Sequence, residues 1–97
     1  MLTSRQRSRL AGIAQTMDDL VQLGKDGASP GFLAQFSRLL EGHELVKLRF
    51  IGHKGERADL VRSLAEASSS EVVRLIGHTA IFWKRNPDPK KQKVELE

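Results

Sequence analysis

The sequence predicts an α/β (α+β) domain in which an N-terminal helix precedes a βαβαββ unit, and three observations predict it. Apolar residues recur at helical spacing in three separate segments, two short strand-like runs stand between those segments, and a Gly77-His78 pair splits the last apolar stretch into two arms. Each strand-helix-strand connection favours a right-handed crossover between parallel strands, and a final hairpin sets the last strand antiparallel to its neighbour. The expected product is a mixed four-stranded sheet packed with helices. At 97 residues the chain is about one domain. A domain of that size buries roughly two-thirds of its unfolded surface, which leaves one small core and little room for a deep cleft.

The first helix opens at Thr3, whose hydroxyl and Gln6 three residues on have the spacing of a capping box, and its stripe is Leu10, Ile13, Ala14 and Met17. Arg5 and Arg7 occupy its first turns, the positive end of the helix dipole, and an external anion would relieve that conflict. Leu20-Val21-Gln22-Leu23 reads as a short buried strand, and Gly24-Lys25-Asp26-Gly27 turns the chain. Ser29 caps the second helix, Pro30 fits its first position, Phe32, Phe36, Leu39 and Leu40 form its stripe, and Gly42 fits a left-handed terminus. From Glu44 to Ile51 the side chains alternate, with Val46, Leu48 and Phe50 on one face and the basic Lys47 and Arg49 on the other. Gly52-His53-Lys54-Gly55 leads into a third helix with acids at Glu56 and Asp59, a stripe of Leu60, Val61, Leu64 and Ala65, and an end at Ser68 to Ser70. In the hairpin a two-residue turn would pair Val73 with Phe82, Leu75 with Ala80 and Glu71 with Lys84. Asn86-Pro87-Asp88-Pro89 ends the regular structure, so residues 2–86 are expected to form the domain and 87–97 a basic, disordered tail.

Composition narrows the function. Zero cysteines exclude disulfides, thiolate metal sites and thiol nucleophiles. The longest unbroken apolar run, Ala80 to Trp83, is far short of the roughly 20 residues of a membrane-spanning helix. No export signal is evident, so a cytoplasmic protein that does not engage membranes is expected. The net charge is +4, and its placement says more than its size. Three arginines and no acid stand in residues 1–9, and Lys84, Arg85, Lys90, Lys91 and Lys93 face only Asp88 in residues 84–93. Such clustering suits either a polyanion, whose counterions are released on binding, or simply solvated chain ends.

Two G-x-x-G turns, Gly24 to Gly27 and Gly52 to Gly55, each stand between a strand and a helix. Glycines let a backbone approach a phosphate, and the helix start behind them offers free N–H donors; two glycines can equally be plain turn chemistry. Lys25 and Lys54 add full charges. KH domains hold a nucleic-acid backbone with such a loop. His43 and His53 flank one strand and would stand about 30 Å apart, beyond a shared ion, so no metal site is expected. No nucleophile elbow and no carboxylate pair in an apolar pocket is visible, so catalysis and cofactors are not expected.

Leu2-Thr3-Ser4-Arg5-Gln6-Arg7, Leu23-Gly24-Lys25-Asp26-Gly27, Leu45-Val46-Lys47-Leu48-Arg49 and Leu75-Ile76-Gly77-His78-Thr79 resemble, in order and spacing, the successive blocks of the CRM domain, the chloroplast RNA splicing and ribosome maturation domain, with its bacterial single-domain YhbY-like members. The likeness spans residues 2 to 86 and implies a KH-like fold, related also to the C-terminal domain of a bacterial initiation factor. It further implies RNA binding, with ribosomal RNA of the precursor large subunit as partner, and possible contact with ribosomal proteins. Carried onto this chain, the family's loop falls on Gly24, Lys25, Asp26 and Gly27, and its basic surface on Arg5, Arg7, Lys47 and Arg49. Lys54, Arg74, Lys84 and Arg85 would extend the surface. Asp26 would repel a phosphate unless it turns away. The phenylalanines fit the core, whereas Trp83 fits either the sheet beneath the first helix or the edge of an RNA surface. A monomer is expected. The rival reading is an adaptor that docks on a ribosomal protein or translation factor through the second and third helices.

Overall fold

A computed structural model describes residues 1–96. Its elements are α1 (Ser4–Gln15), β1 (Val21–Leu23), α2 (Pro30–His43), β2 (Leu45–Phe50), α3 (Arg57–Ser68), β3 (Glu71–Ile76), β4 (Thr79–Trp83) and a short 3-10 turn (Pro89–Lys91). The order and the mixed four-stranded sheet are those expected from the sequence. The Thr3–Gln6 capping box is formed in both directions, and Ser29 accepts from the Phe32 amide with Pro30 behind it. Both caps satisfy amides that a helix start otherwise leaves without partners.

The strands lie in the order β1-β2-β4-β3. β1 and β2 are parallel, and β4 is antiparallel to both β2 and β3. The last strand is therefore inserted between two earlier ones. Helices pack on both faces of the sheet. On one, Val21, Leu23, Val46, Leu48, Phe50, Ala80 and Phe82 pack under Phe36 and Leu40 of α2 and Val61 and Leu64 of α3. The Phe36 and Phe82 rings meet edge to face at 4.9 Å. On the other, Leu45, Val73, Ile81 and Trp83 lie beneath Leu10, Ala11 and Ala14 of α1. Trp83 is 4% exposed, so it is part of this second layer and does not flank a free surface.

Four local expectations are corrected. The hairpin register holds from Ile76↔Thr79 to Arg74↔Ile81, then shifts, so that Val72, not Val73, pairs with Phe82, and Glu71 pairs with Trp83, not Lys84. The bulge turns Val73 toward α1, where it is buried, while Val72 packs on the opposite layer. Gly42 does not end α2; the helix runs to His43, and Glu44 takes the positive φ of 65°. Arg7 needs no external anion, because Glu71 supplies one at 3.7 Å and also accepts from the Leu2 amide.

The fourth concerns the tail. Residues 86–96 fold back, held by Glu44, which is fully buried. Its carboxylate accepts from the amides of Asn86 (2.6 Å), Lys93 (2.6 Å) and Val94 (3.1 Å) and pairs with Arg85 at 3.3 Å. Val94 and Leu96 pack against the α1 layer, and Arg9 donates to the Glu95 carbonyl. Burial alone would raise the Glu44 pKa, but the three amides and the Arg85 guanidinium outweigh it and hold the carboxyl below its ordinary value. Residue 97 lies outside the described residues.

Candidate nucleic-acid interface

Parallel pairing of β1 with β2 sets Leu23 beside Phe50, so the two G-x-x-G turns leave the same end of the sheet side by side. They are joined directly. His53 donates from Nε2 to the Gly24 carbonyl at 2.6 Å, and its ring lies edge-on to Phe50. His53 holds a φ of +60°, an uncommon conformation for a side-chain-bearing residue, which these contacts help to maintain. The β3–β4 turn reaches the same end: Phe50 donates to the His78 carbonyl, and Arg57 bridges the carbonyls of Gly52 (3.0 Å) and Gly77 (3.1 Å).

Two of the glycines differ in a telling way. Gly27 has a φ of +76°, which its turn requires, but Gly24 does not lie in that region, and a Cβ built on it would meet nothing within 4 Å. The fold itself therefore does not need a glycine at position 24; an approaching ligand could. The start of α3 has no side-chain cap, so its first amides remain open beside Lys54.

Below this corner, the α1 side of the sheet is covered only in part. Register places Gln22, Arg49, Thr79 and Ile76 in one row across β1, β2, β4 and β3, with Lys47, Ile81 and Arg74 in the next. α1 lies over Ile81, but Gln22, Arg49, Arg74 and Ile76 are exposed. Lys25, Arg49, Lys54, Arg57 and Arg74 thus share one end of the molecule, and none of the five has a carboxylate within ion-pair distance among the described residues.

Against known proteins, residues 2–84 match the family of the CRS1 / YhbY (CRM) domain. The chain belongs to the CRM family. It is 30% identical over 91 residues to a probable RNA-binding protein of Pseudomonas aeruginosa, covering 93% of this chain and 88% of that one. It is 29% identical over 97 residues to the probable RNA-binding protein YqeI of Bacillus subtilis, covering 99% of each. The solution structure of a Staphylococcus aureus protein proposed to bind RNA superposes with a TM-score of 0.79 at 28% identity, covering 98% of this chain and all of that one.

Within this CRM domain the twelve residues singled out from the sequence divide. Gly24, Lys25, Asp26, Gly27, Arg49, Lys54 and Arg74 come together at the corner and the adjoining sheet face. Lys47 lies at the border, but its ammonium group donates to the Ala14 and Met17 carbonyls, both at 3.1 Å, and so closes the C-terminal end of α1. Lys84 does the same for α3 through the Ser68 carbonyl at 3.0 Å. Arg85 is held by Glu44, by the Val94 carbonyl and over the Trp83 ring, and Arg7 by Glu71 and the Val72 carbonyl. Arg5 is exposed near the start of α1, beside the groove containing Arg9 and Leu96. That start is anchored to Glu71, six strand residues from the turn and so about 20 Å away. Asp26 is exposed and makes no ion pair among the described residues. Arg57 was missed by sequence reasoning. The available signal was a cation two residues after the second G-x-x-G, at the mouth of a helix where a cation is otherwise unfavourable.

Proposed function

We propose that this protein binds RNA through the corner built by Gly24–Gly27, Gly52–Gly55 and the β3–β4 turn, with no catalytic step, and that its target is ribosomal RNA in the precursor large subunit in the cytoplasm. One observation carries the reading: five cations without carboxylate partners among the described residues converge where two glycine turns adjoin an uncapped helix start with open amides. The sugar-phosphate chain would lie along Lys25, Arg49 and Arg74 while amides meet individual phosphates. The names of the relatives support RNA as the ligand, and the family likeness supports the ribosomal target.

The test is fluorescence anisotropy with a labelled single-stranded oligouridylate. Lys25→Glu and Arg49→Glu should each weaken binding about five- to tenfold, roughly 1 kcal/mol or slightly more. Unfolding midpoints should stay close to the parent, since both side chains are exposed. Unchanged affinity in both variants would refute the corner as the contact. The ribosomal target is tested by co-sedimentation with precursor large subunits from cell extract; association that survives ribonuclease would favour a protein partner.

A further inference from the structure

On the α1 side, a groove of about 390 Å³ runs between the last turns of α1 and the β3–β4 hairpin. Its floor is Ala11, Ala14 and Ile81, all buried against the core. Its rim carries Arg74, Ile76 and His78. Ile76 is 58% exposed and is the only large apolar side chain so exposed between Leu2 and Leu96 among the described residues. It lies two residues along β3 from Arg74 and two strands across the same sheet row from Arg49, so an uncovered apolar surface sits beside one arginine and within the same face as another.

A flat, weakly polar group carried on an anionic chain meets both demands at once. Resting on the RNA reading above, we propose that this groove accepts one unstacked nucleobase, with Ile76 and the alanine floor against the base and Arg74 and Arg49 on the flanking phosphates. An amphipathic peptide helix would need several apolar anchors at helical spacing, and the rim offers only one large one. A paired A-form helix keeps its bases stacked and presents its backbone instead, so the groove selects unpaired RNA. From β1 to β3 the sheet spans three interstrand steps, about 14 Å, so one short single strand could reach from Lys25 to the groove.

Three labelled ligands of equal length and fixed ionic strength test this with the full chain: oligouridylate, the same ribose-phosphate chain without bases, and a blunt RNA duplex. Oligouridylate should bind about tenfold more tightly than the abasic chain, the effect expected of burying one base face against aliphatic side chains. Ile76→Ser should reduce that ratio to near one while leaving salt-dependent binding of both strands in place. Arg74→Ala should weaken both strands together. A ratio near one in the parent protein, a ratio unchanged by Ile76→Ser, or a duplex bound as tightly as oligouridylate would each overturn the proposal. So would self-association abolished by Ile76→Ser, which would assign the groove to a second copy. Absence of salt-dependent binding to all three ligands would instead bring down the RNA reading itself.

Discussion

Raising monovalent salt from about 50 to about 200 mM will weaken binding to single-stranded RNA roughly a hundredfold. The figure follows from counting cations. Each phosphate neutralised on a single strand releases counterions worth about 0.7 in the log–log slope, so the five corner cations give a slope of about −3.5. Arg7 and Arg85 are excluded because carboxylates of the protein already neutralise them, at 3.7 and 3.3 Å. Lys25→Gln removes one contributor and should bring the slope to about −2.8. Lys84→Gln should leave it unchanged, since Lys84 follows β4 at the end of the sheet opposite the corner, beside the end of α3. A slope near zero would mean that the corner does not neutralise phosphate. A slope much steeper than −3.5 would bring in the lysines of residues 90–93, which the count leaves out.

Replacing Glu44 by alanine will destabilise the domain by about 2–4 kcal/mol, the range for removing a buried, charged acceptor and abandoning its donors. Four donors converge on this carboxylate, three of them amides from residues 86–94. Without it those amides must find water, and the strap that brings Val94 and Leu96 onto α1 loses its anchor. The pH dependence has a definite sign. Because the folded-state pKa lies below the unfolded one, the carboxylate's contribution is complete above the unfolded value and is lost as the pH falls through the folded value. Urea unfolding of the parent and of Glu44→Gln at neutral and acid pH measures this: the gap between them should be widest at neutral pH and narrow on acidification. A gap independent of pH would show that the ionised carboxylate is not what matters there. Glu71, also held below its ordinary value despite burial, by the Leu2 amide, the terminal ammonium and Arg7, adds acid sensitivity to both proteins alike.

Local periodicity carried the fold a long way. The stripes of α1, α2 and α3, the Thr3 and Ser29 caps and the Gly77-His78 turn were all readable because each is encoded within a few residues. The bulge at Val73 was not, since no glycine or proline marks it and both Val72 and Val73 suit a buried face; only the opposite layers of the sheet decide which goes where. Glu44 was equally hidden. An acid after a helix looks solvated, and its partners lie about forty to fifty residues later in a segment whose composition points to disorder.

The candidate site shows the same division. The two glycine turns were visible as motifs, but their adjacency depends on β1 lying parallel to β2, and the His53–Gly24 bond depends on that in turn. Charge counting misplaced Arg7, Lys84 and Arg85 because sequence lists cations without showing which are already neutralised or capping a helix.

The position of β4 has a consequence for biosynthesis. A nascent chain that has emerged only as far as the β3 turn possesses three strands yet has nothing to set between β2 and β3, and α1, made first, lacks the Ile81 and Trp83 on which it must settle. Long-range closure of this kind defers cooperative assembly until β4 has been translated. A fragment ending at Gly77 should accordingly be degraded rapidly by protease, and truncated products released early would carry no organised corner with which to occupy RNA.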